Sequence, residues 1–141
     1  MIVTFLEAIH YPPRRDWVSM KTDNPDWPAI ESSIKRLDRD EWPYVWLHTE
    51  PPVKFEMPNN MFCVMGGRGE FALTLYRDGA EISYRDRTRQ DEGDLVRIWE
   101  SDQGSETWPT YLCNDLSRVL ALTRVFCDSG NLDDSCEWEI N

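Results

Sequence analysis

Residues 62–79 read FCVMGGRGEFALTLYRDG, two apolar runs separated by Gly66, Gly67, Arg68 and Gly69. A glycine-rich loop of this kind has two readings. A phosphate cradle aims backbone N–H groups at its ligand from the first turn of a helix, whereas a hairpin uses glycine for the positive φ of a tight turn. The residues after Gly69 decide between them. Phe71, Leu73 and Leu75 alternate with Ala72, Thr74 and Tyr76, the period-two pattern of a strand with two unlike faces. Residues 61–65, before the glycines, are short and continuously apolar, as in a buried strand. With no helix to build a cradle, the stretch is a β-hairpin, its turn supplied by residues 66–69. Asp78-Gly79 then signals a second turn, into a third strand over AEISYRD.

Outward from this meander, residues 1–8 (MIVTFLEA) predict a first strand, closed by the loop HYPPRRDW. A helix is predicted near 27–39: Asp26 caps it, Pro28 fits its first turn, and Trp27, Ile30, Ile34 and Leu37 share one face. Lys35, Arg36 and Arg39 then fall near its C-terminal end as a solvated, dipole-compatible group. Residues 44–50 predict a strand that turns Val45 and Leu47 one way and Tyr44, Trp46 and His48 the other. After the charged loop RTRQDEGD, the segments LVRIWES and TWPTYLC predict two more short strands. A second helix is predicted near 115–127, capped by Asn114 or Asp115 and ended by Gly130, with a buried stripe of Leu116, Val119, Leu120 and Phe126 widened by Leu122 and Val125. The tail NLDDSCEWEIN reads as exposed and acidic. Together these signals predict a single α+β domain over residues 1–141, a twisted antiparallel sheet of five or more strands with both helices on one face.

Charge narrows the partner. Residues 1–89 carry 14 acidic and 12 basic side chains, but residues 90–141 carry 12 and 3, so the last third holds −9 of the net −11. Such a field repels nucleic acid and acidic membranes and attracts a basic surface. No apolar run approaches a membrane span, and no basic leader precedes the first apolar stretch, which predicts a cytoplasmic chain. Cys63, Cys113, Cys127 and Cys136 form no C-x-x-C, and only His10 and His48 accompany them, so neither metal nor other cofactor is expected. Cys63 reads as a core residue and the thiols as reduced, with pairing among Cys113, Cys127 and Cys136 left open.

Catalysis finds little support. There is no G-x-S-x-G, no H-E-x-x-H and no Walker lysine. His10 and His48 read as structural, and Asp133 and Asp134 as solvated, so no catalytic residue and no enzymatic activity is expected. Binding is better supported, because seven tryptophans exceed what one small core readily buries, and Trp46, Trp99, Trp108 and Trp138 fall on short strands or loops. Aromatic anchors among carboxylates suit an interface with a cationic protein. The candidate contacts are Asp91, Glu92, Asp94, Asp102 and Glu106 with Trp99 and Trp108 nearby. A second candidate surface is the aromatic strand face of Tyr44, Trp46 and His48. A small-ligand module on that face is the alternative, marked by a deep apolar pocket. A hydrolase with unfamiliar motifs is another, marked by a cleft of strongly perturbed carboxylates or histidine.

Three stretches carry a resemblance: DWPAIESSIKRLDRDEWPYVWL, MFCVMGGRGEFALTLY and LSRVLALTRVFCDSGNLDDSCEWE. In this order the chain resembles the immunity proteins of bacterial polymorphic-toxin systems, in particular the family numbered one in that series. The shared pattern is an early helix, a strand, a Gly-rich hairpin, and a late helix ending in Phe before a Trp, here Phe126 and Trp138. It implies a cytoplasmic inhibitor that binds the catalytic domain of a cognate toxin, often a nucleic-acid deaminase or nuclease. The resemblance further implies a monomer or 1:1 complex, no direct contact with nucleic acid or membrane, and no catalytic residues of its own. The acidic region from RTRQDEGD to DQGSETW departs from that pattern and is assigned to partner specificity.

Overall fold

The computed structural model describes residues 1–100 and 104–141. In chain order these form β1 (Phe5–His10), β2 (Val18–Asp23), α1 (Trp27–Lys35), β3 (Tyr44–His48), β4 (Met61–Gly67), β5 (Glu70–Arg77), β6 (Ala80–Arg85), β7 (Val96–Arg97), β8 (Glu106–Thr107), α2 (Leu116–Ser129) and β9 (Glu137–Ile140). Seven strands make one sheet in the order β2-β1-β3-β4-β5-β6-β9, every pair antiparallel. β7 and β8 form a separate two-stranded ribbon. The chain is thus α+β, with the predicted meander at the centre of its sheet.

Local chemistry accounts for the helices. The Asp26 carboxylate accepts from the Ala29 N–H at 2.9 Å and starts α1, and the Asp115 carboxylate accepts from Arg118 N–H at 3.3 Å at the head of α2. Gly130, at φ 76°, ends α2 in the left-handed conformation. Ile30 and Ile34 of α1 join Val119, Leu122 and Phe126 of α2 in one core with Leu6, Val45, Leu47, Phe62, Val64 and Leu75 from the sheet. Phe62 and Phe126 stack at 5.0 Å between ring centroids. Both helices therefore cover the same sheet face. The buried side of α2 also includes Thr123 and Cys127, which lie outside the predicted stripe, while Leu120 and Val125 are only half-buried.

The glycines divide their work differently from the sequence reading. Arg68 (φ 51°) and Gly69 (φ 84°) alone form the β4–β5 turn, and Asp78 (φ 52°) and Gly79 (φ 76°) form the β5–β6 turn. Positive φ at both central residues is the twist-matched geometry of two-residue hairpins. Gly66 and Gly67 instead lie inside β4, at φ 126° and 133°. A Cβ on Gly67 would stand 2.5 Å from the Leu37 carbonyl oxygen. Another stretch of backbone presses there: Asp38 bridges to Gly67, and Arg39 N–H donates to the Gly66 carbonyl at 2.9 Å. The Arg39 side chain donates to the carbonyls of Gly67, Arg68 and Arg97 at 2.7, 3.3 and 3.2 Å. Arg39 is therefore an internal clamp rather than a solvated cation, and the glycine stretch turns and packs the chain.

One strand arises where no element was predicted, and two further expectations are corrected. VSMKTD, to which the sequence reading assigns no element, carries only the short alternation of Val18 and Met20 with Ser19 and Lys21, and it forms the edge strand β2 by pairing with β1 along its full length. LVRIWES and TWPTYLC yield only the two-residue strands β7 and β8, and Pro109–Tyr111 forms a 3₁₀ turn because Pro109 has no N–H to give a ladder. Residue 101 of the first segment lies outside the described residues. The tail is not wholly exposed. It enters the sheet as β9, placing Trp138 opposite Tyr84 with its ring 6.4 Å from Phe62 and 6.0 Å from Tyr84.

A candidate partner-binding face

Strand alternation creates a second sheet face, turned away from the helices. One row crosses it through Lys21, Glu7, Trp46, Cys63, Thr74, Ser83 and Glu139, each opposite the next in register. Tyr44, Trp46 and His48 lie on this face, as their spacing predicts. Part of it is covered by the chain from β7 onward. Trp99 sits against Tyr11 and Tyr44, with ring centroids 5.2 and 5.4 Å apart, and Tyr44 stacks on Trp46 at 5.2 Å. Burial, followed by contact with Tyr11, pushes the Tyr44 phenol well above its ordinary pKa.

The β1–β3 side of the face is closed. His48 is 4% exposed and Glu7 7%. His48 Nε2 lies 2.9 Å from one Glu7 oxygen, and Ser19 Oγ donates to the other at 2.7 Å. The hydrogen bond with His48 outweighs burial and holds the Glu7 carboxyl below its usual range. His48 is thus an interior partner of Glu7, which corrects its assignment as a partner-binding residue. Burial pushes the Cys63 thiol up to about 12, so at neutral pH it is not the thiolate that nucleophilic chemistry uses. The structure contains four free cysteines, and among the described residues no group of three His, Cys, Asp or Glu is placed to hold a metal ion.

The acidic candidates separate into paired and unpaired groups. Asp91 is exposed but meets Arg85 at 3.4 Å, and Arg85 also pairs with Glu139 at 2.5 Å. Tyr111 O–H donates to Glu139 at 2.6 Å, and Arg87 pairs with Glu137 at 2.6 Å. Loop 86–94 is anchored by Arg89, which holds Glu70 through two 2.8 Å bonds. Glu92, Asp94 and Glu106 are exposed and make no ion pair among the described residues. Trp99 and Trp108 are half-buried, Trp108 just before the buried Pro109. The Trp99 indole N–H and Arg85 Nε are buried without a hydrogen-bond partner among the described residues. Asp102 lies outside the described residues.

Between this acidic edge and the sheet lies an open cavity of about 420 Å³. Met65, Thr74, Tyr76, Glu81 and Ser83 line it from the sheet, and Ile98, Glu106 and Tyr111 from the covering segment. Of these only Glu106 was a sequence candidate. Tyr76, Glu81 and Ser83 were within reach of the sequence, because the alternation in β5 and β6 puts them on one face. Tyr111 was not, since it belongs to a segment that only resembles a strand. The mixed wall of carboxylates, phenols and hydroxyls differs from the deep apolar pocket of a small-ligand module.

No protein family and no curated protein matches this sequence. Among solved structures the chain is similar to a hypothetical protein from Neisseria gonorrhoeae, with a TM-score of 0.60 at 10% identity, covering 96% of this chain and 93% of that one. The likeness is one of fold. Among the described residues no helix is long and apolar enough to cross a membrane.

Proposed function

We propose that this chain is a cytoplasmic immunity-type inhibitor that binds the catalytic domain of a toxin acting on nucleic acid, a deaminase or a nuclease, in a 1:1 complex. The observation that carries this reading is the asymmetry of the sheet. One face is closed by α1 and α2, while the other presents Tyr44, Trp46 and Trp99 beside the exposed carboxylates Glu92, Asp94 and Glu106, which make no ion pair among the described residues. Aromatic anchors rimmed by negative charge complement the basic groove that an enzyme acting on a polyanion requires. The protonated Cys63 thiol and the enclosed His48–Glu7 pair favour binding over catalysis. The resemblance in the hairpin, α2 and the Trp138 tail supports the same reading.

The test is co-expression with the C-terminal domain of a toxin encoded beside the gene. The proposal predicts restored growth and co-elution of the two chains in equal amounts. Undiminished killing with no complex would refute it.

A further inference from the structure

We propose that the cavity between the β5–β6 hairpin and the β7–β8 ribbon is an arginine-accepting pocket, in which one guanidinium of the partner sits between Glu81 and Glu106. This rests on the reading of the face as a docking surface for a basic protein, and it names the anchor. Charge is the first argument. Glu81 and Glu106 line the cavity, and among the described residues no lysine or arginine does. The arginines around it are engaged elsewhere: Arg85 with Glu139 and Asp91, Arg87 with Glu137, Arg89 with Glu70. Arg97 stands across the ribbon from Glu106 but is not part of the cavity wall. Two carboxylates therefore line one recess whose described wall contains no lysine or arginine, an arrangement that attracts a cation from outside.

The walls choose between the two basic side chains. Tyr76 and Tyr111 offer aromatic surface, on which a planar guanidinium stacks and a compact ammonium does so less well. A guanidinium also has donors enough to reach two carboxylates at once. The chain already uses this chemistry at the cavity's edge, where the Arg85 guanidinium lies 5.4 Å from the centre of the Tyr111 ring while pairing with Glu139. The recess is open to solvent, so a side chain projecting from a partner enters without rearrangement of the sheet. Its volume of about 420 Å³ leaves room for the whole side chain.

The pocket is tested without a toxin. The full-length ¹⁵N-labelled chain is titrated with N-acetyl-arginine methylamide while amide shifts are followed. The proposal predicts saturable shifts confined to the neighbourhood of Tyr76, Ser83, Ile98, Thr107 and Tyr111. Affinity should fall about tenfold or more for the uncharged citrulline counterpart and for the Glu81→Gln/Glu106→Gln variant, and several-fold for the lysine counterpart. The unperturbed spectrum of the variant reports its folding, and the two single substitutions serve if the double variant fails to fold. Shifts that do not saturate, that spread over the acidic surface, or that persist unchanged with citrulline or in the variants would overturn the pocket. Equal or tighter binding of the lysine compound would overturn the choice of arginine. Loss of protection in cells with arginine binding intact would count against the inhibitor reading alone, whereas protection without arginine binding would count against the pocket alone.

Discussion

Gly67→Ala probes the contact that joins the hairpin to the chain after α1. Gly67 holds φ +133°, a region that side-chain-bearing residues reach only at a cost of about 1–3 kcal/mol. The new methyl would also stand 2.5 Å from the Leu37 oxygen, 2.6 Å from its carbonyl carbon and 2.7 Å from Asp38 Cα. All three atoms are backbone, so relief means moving the 37–38 segment and weakening the 2.7 Å bond from Arg39 Nε to the Gly67 carbonyl. A lost hydrogen bond adds about 1 kcal/mol. The total is about 2–4 kcal/mol. At a urea slope of about 2 kcal/mol/M, the unfolding midpoint should fall by about 1–2 M. Gly69→Ala is the control: φ is +84° and nothing lies within 4 Å of the added Cβ, so only the left-handed penalty of about 1–2 kcal/mol applies. Tryptophan fluorescence and circular dichroism during urea unfolding measure both variants. Equal midpoints for the two would refute the close approach of the 37–38 backbone as the reason for glycine at 67.

The Glu7 carboxyl titrates below its ordinary value of 4.5 in the folded chain, so its contribution to stability is full above that value and is lost as pH falls through the folded pKa. Glu7→Gln should therefore lower stability at pH 7 and flatten its loss below pH 4.5, as read from urea midpoints across pH. An unchanged acid limb would show that the pair is not linked to folding. Reversal of Glu92 and Asp94 to lysine should slow association with the toxin domain and weaken its salt dependence in surface-plasmon kinetics, and adding Asp91 should contribute less because Arg85 already offsets it. Trp99→Ala should act mainly on dissociation, at a cost of about 2 kcal/mol if the Tyr11–Tyr44–Trp99 cluster is an anchor; an unchanged off-rate in the folded variant would remove it from the interface.

Much of the architecture was legible because it is written in short-range signals. Alternation in 71–76, the Asp78-Gly79 turn, and the Asp26 and Asp115 caps each act within a few residues, and each occurs where the local chemistry places it, whereas of the turn read over residues 66–69 only Arg68 and Gly69 form one. The strand face of Tyr44, Trp46 and His48 was legible for the same reason. What could not be read depends on partners distant in sequence. β2 offers only Val18 and Met20 in alternation, both exposed, and exists through β1, and β9 exists through β6. His48 looks like an exposed aromatic until Glu7, 41 residues away, closes over it. Asp91 counts as surface charge until Arg85 and its network are in place. Conversely, the segments around Trp99 and Trp108 carry strand-like composition, but they end in a ribbon and a 3₁₀ turn laid across the sheet, which creates the cavity that no local pattern announces.

The central claim, that the second sheet face and its acidic covering segment bind the toxin, is tested most directly by amide hydrogen exchange of the chain with and without the toxin domain. The account predicts slowed exchange over residues 91–100 and 104–108, with the solvent side of α2 unchanged. Protection confined to α1 and α2, or absent from the second face in a complex that forms, would contradict it.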